Sequence, residues 1–371
     1  MLQVHGANIR LAYWEKSIDL IKEKPFIGVG YGNWKLYTPL YTNTLLNDNL
    51  FSKHPHNDFI EIAGETGVLN ALIFLSIFIF AAWLTVKTVI SNRSFDTKVI
   101  AVFAFAALSG YFIDAFFNFP AERPNIQLLF ALTLAVLIAN WLAPKSLDNT
   151  VSVSKPIKLF LGFTILLGFG SIYVNAMVFT SSKAQYIVDN DLASIDNIPN
   201  ALPKYKFNEV DKMFPYFPNI GENSETIGYK KAKYLQKEKR FKEAIKLLDS
   251  VHLQMPNLAY GNYLKCNIYL EENNLDSAYK YGKMAAYAKP RHFYYFRMAS
   301  YLAMMHKDAK EVQKLFHQYN RYRKDQQSYS YYAQSLFYSG YSKSEVRAVL
   351  LNGLKLYPTD ETMLGIIATL P

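Results

Sequence analysis

The chain reads as all-α: four polytopic membrane helices, then a soluble α-solenoid of the tetratricopeptide kind. Three observations predict this. Residues 68–179 hold four apolar stretches, each close to the ~20 residues that cross a hydrocarbon core as a helix. Prolines and small residues recur at a 34-residue spacing in the C-terminal half. A polar, histidine-bearing loop, His54-Pro55-His56-Asn57-Asp58, stands just before the first apolar stretch. The expected divisions are a catalytic-loop region over 1–67, a four-helix membrane region over 68–180, linker helices over 181–224 and the repeats over 225–371.

Residues 9–24 have the spacing of an amphipathic helix, with Leu11, Trp14, Ile18 and Ile21 on one face. Asn8 is its expected cap and Pro25 its stop. Lying apolar side down on a bilayer, this helix carries Arg10 near the headgroup plane, where a guanidinium either anchors the helix or grips two phosphate oxygens. The following Gly28-Val29-Gly30-Tyr31-Gly32-Asn33 lacks the strand-turn-helix context of a dinucleotide fingerprint and reads as a tight turn. Nothing resembling a secretory signal follows Met1, because Gln3, His5 and Asn8 interrupt any apolar core.

The His loop admits three readings: a capped loop entering a helix, a general base, or a metal site of His54, His56 and Asp58. A catalytic zinc needs three firm ligands with supporting partners, which the neighbouring residues do not supply. A base needs only one well-placed imidazole. The expectation is therefore no metal and no cofactor. Glu61 and Glu65, one helical turn apart, either orient the histidine or, the preferred reading, are solvated charges ahead of the span.

The spans are expected at Val68–Ile90, Val99–Phe117, Ile126–Leu142 and Ile157–Phe179. Basic residues set the orientation. Arg93 and Lys98 follow the first span, with Lys87 near its end, and Lys145, Lys155 and Lys158 follow the third. Only Arg123, beside Glu122, separates the second and third. The basic links therefore face the cytoplasm, and both the N-terminal loop and the C-terminal repeats face the outer side, the periplasm of a Gram-negative cell.

In the C-terminal half Pro256, Pro290 and Pro358 share one 34-residue register. Ala244, Ala278, Val312 and Val346 share another, and Ala232, Cys266, Ser300 and Gln334 a third. Paired helices need small residues where they cross and a proline after the second helix. About four repeats are expected over 225–358, with a capping helix ended by Pro371. Such a solenoid binds a protein partner or braces a neighbour. The net charge of +10 suits anionic lipid or diphosphate. With no basic run and no recognition motif, nucleic acid is excluded as a partner. One cysteine, Cys266, excludes an internal disulfide.

Taken together, Arg10-x3-Trp14, Pro25-Phe-Ile-Gly-Val-Gly-Tyr-Gly-Asn33 and His56-Asn57 with Gly67 downstream resemble the O-antigen ligase and polymerase superfamily. That group includes Wzy-type polymerases and bacterial protein O-oligosaccharyltransferases. Asp114 and Asn118-Phe-Pro120 are also similar to it, so the resemblance covers about residues 8–142. It implies metal-independent transfer of a glycan from a polyprenyl-diphosphate carrier to a hydroxyl of lipid A core, polysaccharide or protein, at the periplasmic face of the inner membrane. By that resemblance His56 is the base, Arg10 binds the diphosphate, and Asn57 and His54 contact substrate. Asn70 departs from the family's Gly, Thr or Tyr. The family's earlier spans are expected to precede this segment, making it the C-terminal part of a larger transferase. A different class remains open, a non-catalytic membrane-anchored repeat scaffold that recruits envelope proteins. A third is a metal-dependent membrane hydrolase.

Overall fold

The computed structural model describes residues 6–50, 52–142, 155–195, 201–221 and 224–370. Lys145 and Pro371, used above, fall outside them. The described residues are helical without strands, and the chain divides into two compact units, 1–41 with 52–166, and 42–51 with 167–371.

The first unit opens with α1 (Gly6–Glu23), then the short α2 (Trp34–Tyr37) and α3 (Pro39–Thr42). Because α1 begins at Gly6, Asn8 lies inside the helix and is not its cap. Its inward face is Tyr13, Ser17 and Leu20, while Leu11 and Ile18 stay exposed. This splits the apolar stripe: one edge packs on protein and the other remains free. Next come α4 (Asp58–Thr66), α5 (Val68–Ile90), α6 (Phe95–Phe117), a 3-10 turn (Pro120–Glu122) and α7 (Pro124–Leu142). Three of these, α5, α6 and α7, are long and apolar enough to cross a membrane, as is α8 (Lys155–Ala193). Ala81, Ala101 and Ala104 are nearly solvent-free where α5, α6 and α7 meet, small residues that let helix backbones approach. Arg93 donates to the last carbonyls of α7, at 2.9 Å to Asn140 O, and its guanidinium covers the Trp141 ring. A cation there offsets the negative end of the helix dipole.

Helix α8 corrects the expected end of the fourth span. It runs on without a break at Phe179 for 39 residues, roughly 58 Å at 1.5 Å per residue and well beyond one bilayer core. Its apolar part is unburied, as a lipid-facing span requires, and Ala184, Val188 and Leu192 then carry the helix into the core of the second unit. The spacing of four explains the continuation: one apolar stripe takes over where the uniformly apolar stretch ends.

The second unit continues with α9 (Phe207–Met213) and four helix pairs. These are α10 and α11 (Ile227–Lys237, Phe241–Gln254), α12 and α13 (Tyr260–Glu271, Leu275–Ala288), α14 and α15 (Phe293–Met305, Ala309–Tyr322), and α16 and α17 (Gln326–Tyr338, Lys343–Leu356), followed by α18 (Glu361–Thr369). The second helices start 34 residues apart, and Ala244, Ala278, Val312 and Val346 are all fully buried. Pro256, Pro290 and Pro358 fall just after the second helices. The first helices start 33 residues apart, so the third register drifts by one position along them in each copy; Ala232, Cys266 and Ser300 are still buried and Gln334 is exposed.

Residues 42–51 interrupt the first unit's sequence yet pack with the second. Asp48, at φ 44°, accepts the Phe293 amide at 2.9 Å, at the start of α14, and pairs with Arg323 at 2.7 Å. Arg291 donates to Asn47 at 2.8 Å, and buried Lys289 to Leu50 O at 2.8 Å. His292 accepts the Tyr295 amide at Nδ1, so its proton sits on Nε2 and is donated to Asn49 at 2.9 Å. We expect Asp48→Ala to destabilise this strap by about 1–2 kcal/mol, since Asp48 is partly exposed and screened. Faster hydrogen exchange at the amides of 43–50, with the helix pairs unchanged, is the readout.

Candidate functional site

The site grows from one face of α4. Asp58, Glu61 and Glu65 follow helical spacing, and all three are nearly solvent-free. Each ties down a different segment. Asp58 accepts the Ala121 amide at 3.0 Å and holds the 3-10 turn after α6. Glu61 takes a hydrogen bond from Nδ1 of His54 at 2.9 Å. Glu65 accepts the Gly32 and Trp34 amides at 2.8 and 2.9 Å. The preferred expectation of solvated charges is therefore wrong for both, while the alternative, an acid that orients a histidine, holds for Glu61 with His54 and not for Glu65. Backbone amides offered by a glycine turn replace the water lost by both Glu65 oxygens, and an imidazole replaces it at Glu61 Oε1, while Glu61 Oε2 is buried without a partner among the described residues.

The glycine turn is tight, as expected, and its role is to wrap the end of α4. Gly28, Gly30 and Gly32 have φ of 61°, 98° and 73°. The Val29 and Gly30 amides bond the carbonyls of Gly64 and Glu65 at 3.0 and 2.7 Å. A Cβ on Gly28 would lie 2.3 Å from the Glu65 carbonyl carbon, so only glycine allows this approach.

The histidine loop is held from several sides. Trp14 of α1 donates to Pro55 O at 2.9 Å and Ser52 to His54 O at 2.7 Å. Asn57 is the N-cap of α4, its side-chain oxygen accepting the Ile60 amide at 3.0 Å. The capped-loop reading is therefore correct for Asn57, whose side chain is committed to the helix start. His54 stacks on Phe119 at 4.5 Å, and the Arg123 guanidinium lies 5.2 Å from the same ring.

His56 differs from these neighbours. Its φ is 58°, a left-handed conformation costly for a residue with a Cβ. Its ring meets Phe119 edge-on at 5.1 Å, and its Nδ1 is buried with no hydrogen-bond partner among the described residues. Burial, then the positive charges of Arg10 and His54, push the His56 pKa below its ordinary value near 6.5. The imidazole is thus neutral at pH 7, the form that accepts a proton. Arg10 spends one N–H on Phe117 O at 3.0 Å, the C-terminal end of α6, leaving its other donors for a ligand. The structure therefore brings His54, His56, Asn57 and Arg10 to one site.

The expected-against metal set of His54, His56 and Asp58 is not assembled, because Asp58 turns to Ala121. A different trio, His54, Glu61 and Glu122, offers one donor atom each within 4.8 Å of one another. His54 and Glu61 are there bonded to each other, and Glu122 is exposed. This trio was not found from sequence. No spacing signals it, because Glu122 lies far along the chain from His54 and Glu61; the i, i+3, i+7 spacing of Asp58, Glu61 and Glu65 signals only the acidic face of α4.

Burial raises the Asp58 carboxyl from 3.8 to about 7, with Glu61 and Glu122 adding to the rise and the Ala121 amide opposing it. The unfolded chain then releases this proton near pH 4 and the folded chain only near 7. Between those values unfolding releases a proton, so stability falls as pH rises, by up to a few kcal/mol. Asp58→Asn, whose amide oxygen still accepts the Ala121 N–H, should flatten that slope. Tryptophan-detected melting between pH 4 and 8 measures it, because Trp14, Trp34, Trp83 and Trp141 all lie in the first unit.

Fold and site together define a polytopic helical membrane protein with a neutral imidazole and an arginine assembled just before the α5 span in sequence. Residues 1–75 match the family described as O-antigen ligase. The matched segment runs from α1 through the glycine turn, the histidine loop and α4 into the start of α5. It supports the O-antigen ligase superfamily for this part of the chain, and with it an enzyme of glycan biosynthesis at the level of the family. Among curated proteins none matches.

Proposed function

We propose that the protein transfers a glycan from a polyprenyl-diphosphate carrier to a hydroxyl acceptor at the periplasmic face of the inner membrane. The observation that carries this reading is the neutral His56, held in a strained backbone beside Arg10 within the segment that matches O-antigen ligases.

In the reaction His56 takes the proton of the acceptor hydroxyl as its oxygen attacks the anomeric carbon. A new C–O bond forms on the face opposite the carrier, and the bond from the anomeric carbon to the diphosphate oxygen breaks. Its electron pair leaves on the diphosphate, and the configuration inverts. Arg10 faces the charge that develops there, and such donors are commonly worth about 10²–10³ in rate. Asn57 serves by fixing the backbone of its neighbour His56 through the cap, and His54 lines the site against Phe119. Orientation by basic links puts loop and helix pairs on the outer side, and we read the pairs as tetratricopeptide-like repeats.

One observation favours a second reading of the base. His54, and not His56, has the carboxylate partner that orients many catalytic imidazoles. His54→Ala and His56→Ala, compared side by side, separate the two.

The test is a transfer assay in membranes of the native host, supplied with a polyprenyl-diphosphate-linked glycan. Product that requires the donor and persists in EDTA is expected. No donor-dependent product, or its loss on chelation, goes against the mechanism.

A further inference from the structure

The helix pairs carry an extended groove that the transfer chemistry does not use. Three adjoining cavities of about 610, 440 and 380 Å³ lie along the first helices of the pairs. The two larger ones share Arg297, Tyr331 and Gln334 on their walls, and Tyr294 lines both the largest and the smallest. All of these residues belong to the second unit.

Arg297 stands where the two larger cavities join. Its guanidinium carbon is 5.0 Å from the Tyr294 ring centroid and 5.7 Å from that of Tyr331, and it reaches the Tyr331 hydroxyl at 3.4 Å. Among the described residues no carboxylate pairs with it. Most arginines that line a structural cluster have such a partner, as Arg323 has in Asp48 in the same groove. A guanidinium near two tyrosine rings, with no carboxylate paired to it among the described residues, has donors left for an anion from outside. The second observation is Ser330, on the wall of the largest cavity. It is 5% exposed, and its Oγ is buried without a hydrogen-bond partner among the described residues. A buried unpaired hydroxyl costs roughly 1–3 kcal/mol.

The rest of the lining indicates the ligand. Around Arg297 and Ser330 the largest cavity presents Gln326, Gln327 and Gln334, side-chain amides that both donate and accept; its two carboxylates are engaged elsewhere, Asp48 with Arg323 at 2.7 Å and Asp360 with the Met363 amide at 2.7 Å. Tyr294 is 54% exposed and offers a ring face, and Phe293 and Tyr331 also line this cavity. No Leu, Ile, Val or Met lines this largest cavity, whereas Leu270, Met298 and Met304 line the adjoining one, so the ligand is assigned to the largest cavity. A sugar ring has what the lining can use: hydroxyls at close spacing for amides, and an apolar C–H face for tyrosine. With the unpaired guanidinium, we infer that the groove binds a saccharide bearing a carboxylate, a uronic acid unit of an oligosaccharide, with Arg297 on the carboxylate. This deepens the glycan-transfer reading by naming a sugar class, but the binding stands or falls separately from catalysis.

Isothermal titration of the full chain in detergent micelles tests it, using the His56→Ala protein so that turnover plays no part. The probes are galacturonic acid trimer, glucuronic acid, neutral maltotriose and tetra-alanine with a free C-terminus. The acidic trimer is expected to bind at least about tenfold more tightly than maltotriose, the worth of one charge-assisted contact. Arg297→Gln should erase that preference while leaving the weak neutral-sugar binding, and Gln334→Ala should weaken both sugars. Unchanged helicity by circular dichroism certifies both variants as folded. No binding of either acidic sugar, acidic-trimer affinity unchanged in Arg297→Gln, or binding of tetra-alanine in place of sugar each overturns the assignment. Loss of transfer in His56→Ala with this binding intact would show the two proposals to be distinct.

Discussion

Replacing His56 with alanine should reduce glycan transfer by about 10²–10⁴-fold, the usual worth of a positioned general base. The argument rests on more than the loss of an imidazole. His56 sits at φ 58° with a buried, unpartnered Nδ1, so the fold bears a cost to keep a histidine there. Structural residues seldom combine strain and an orphaned polar atom without compensation. His56→Gly makes the contrast sharper, because glycine accepts a left-handed backbone without a Cβ penalty. That variant should melt at least as high as the parent while being as inactive as the alanine variant. A purely structural His56 would instead give loss of stability in step with loss of activity.

Gly67→Ala carries the largest expected effect on folding. Gly67 has φ 97° and ψ 158°, a combination essentially confined to glycine. A Cβ there would lie 2.0 Å from the carbonyl oxygen of Phe26, with the adjoining Val68 amide bonded to Pro25 O at 2.8 Å. The chain passes this point between α4 and α5, so neither partner can withdraw without losing the wrap of the glycine turn. Strain and overlap together suggest a cost of about 3 kcal/mol or more. Gly32→Ala is the comparison: it also has positive φ but nothing within 4 Å of the new Cβ. A much lower tryptophan-detected melting midpoint for Gly67→Ala than for Gly32→Ala is the expected result.

The membrane helices were legible because a long apolar run has few alternatives, and α5 matches its expected bounds, Val68–Ile90. The overrun of α8 was legible in principle, from Ala184, Val188 and Leu192 at a spacing of four, but a composition-led reading stops where hydropathy falls. The second helices keep the 34-residue spacing, which the string from Arg240 marked in one copy. The first helices start 33 residues apart, so a 34-residue register drifts along them and ends on exposed Gln334, the copy that is not small. Arg10, His54 and His56 were visible as residue types in a motif, whereas their support was not. Burial of Glu61 and Glu65 depends on the glycine turn folding back, and an acid beside a span looks the same in sequence whether paired or solvated. The strap over 42–51 was invisible for a related reason. Asp48 meets Arg323 across 275 residues, and a polar loop gives no sign of a partner so distant.

The most direct measurement for the central claim is the pH dependence of kcat/KM for glycan transfer by the native protein. A neutral His56 acting as base predicts an acidic limb with its midpoint below 6.5, moving upward in Arg10→Gln, where one of the charges that depress the imidazole is removed. An acidic limb at or above 6.5, or a rate indifferent to pH across that range, would contradict the assignment of His56 as the base.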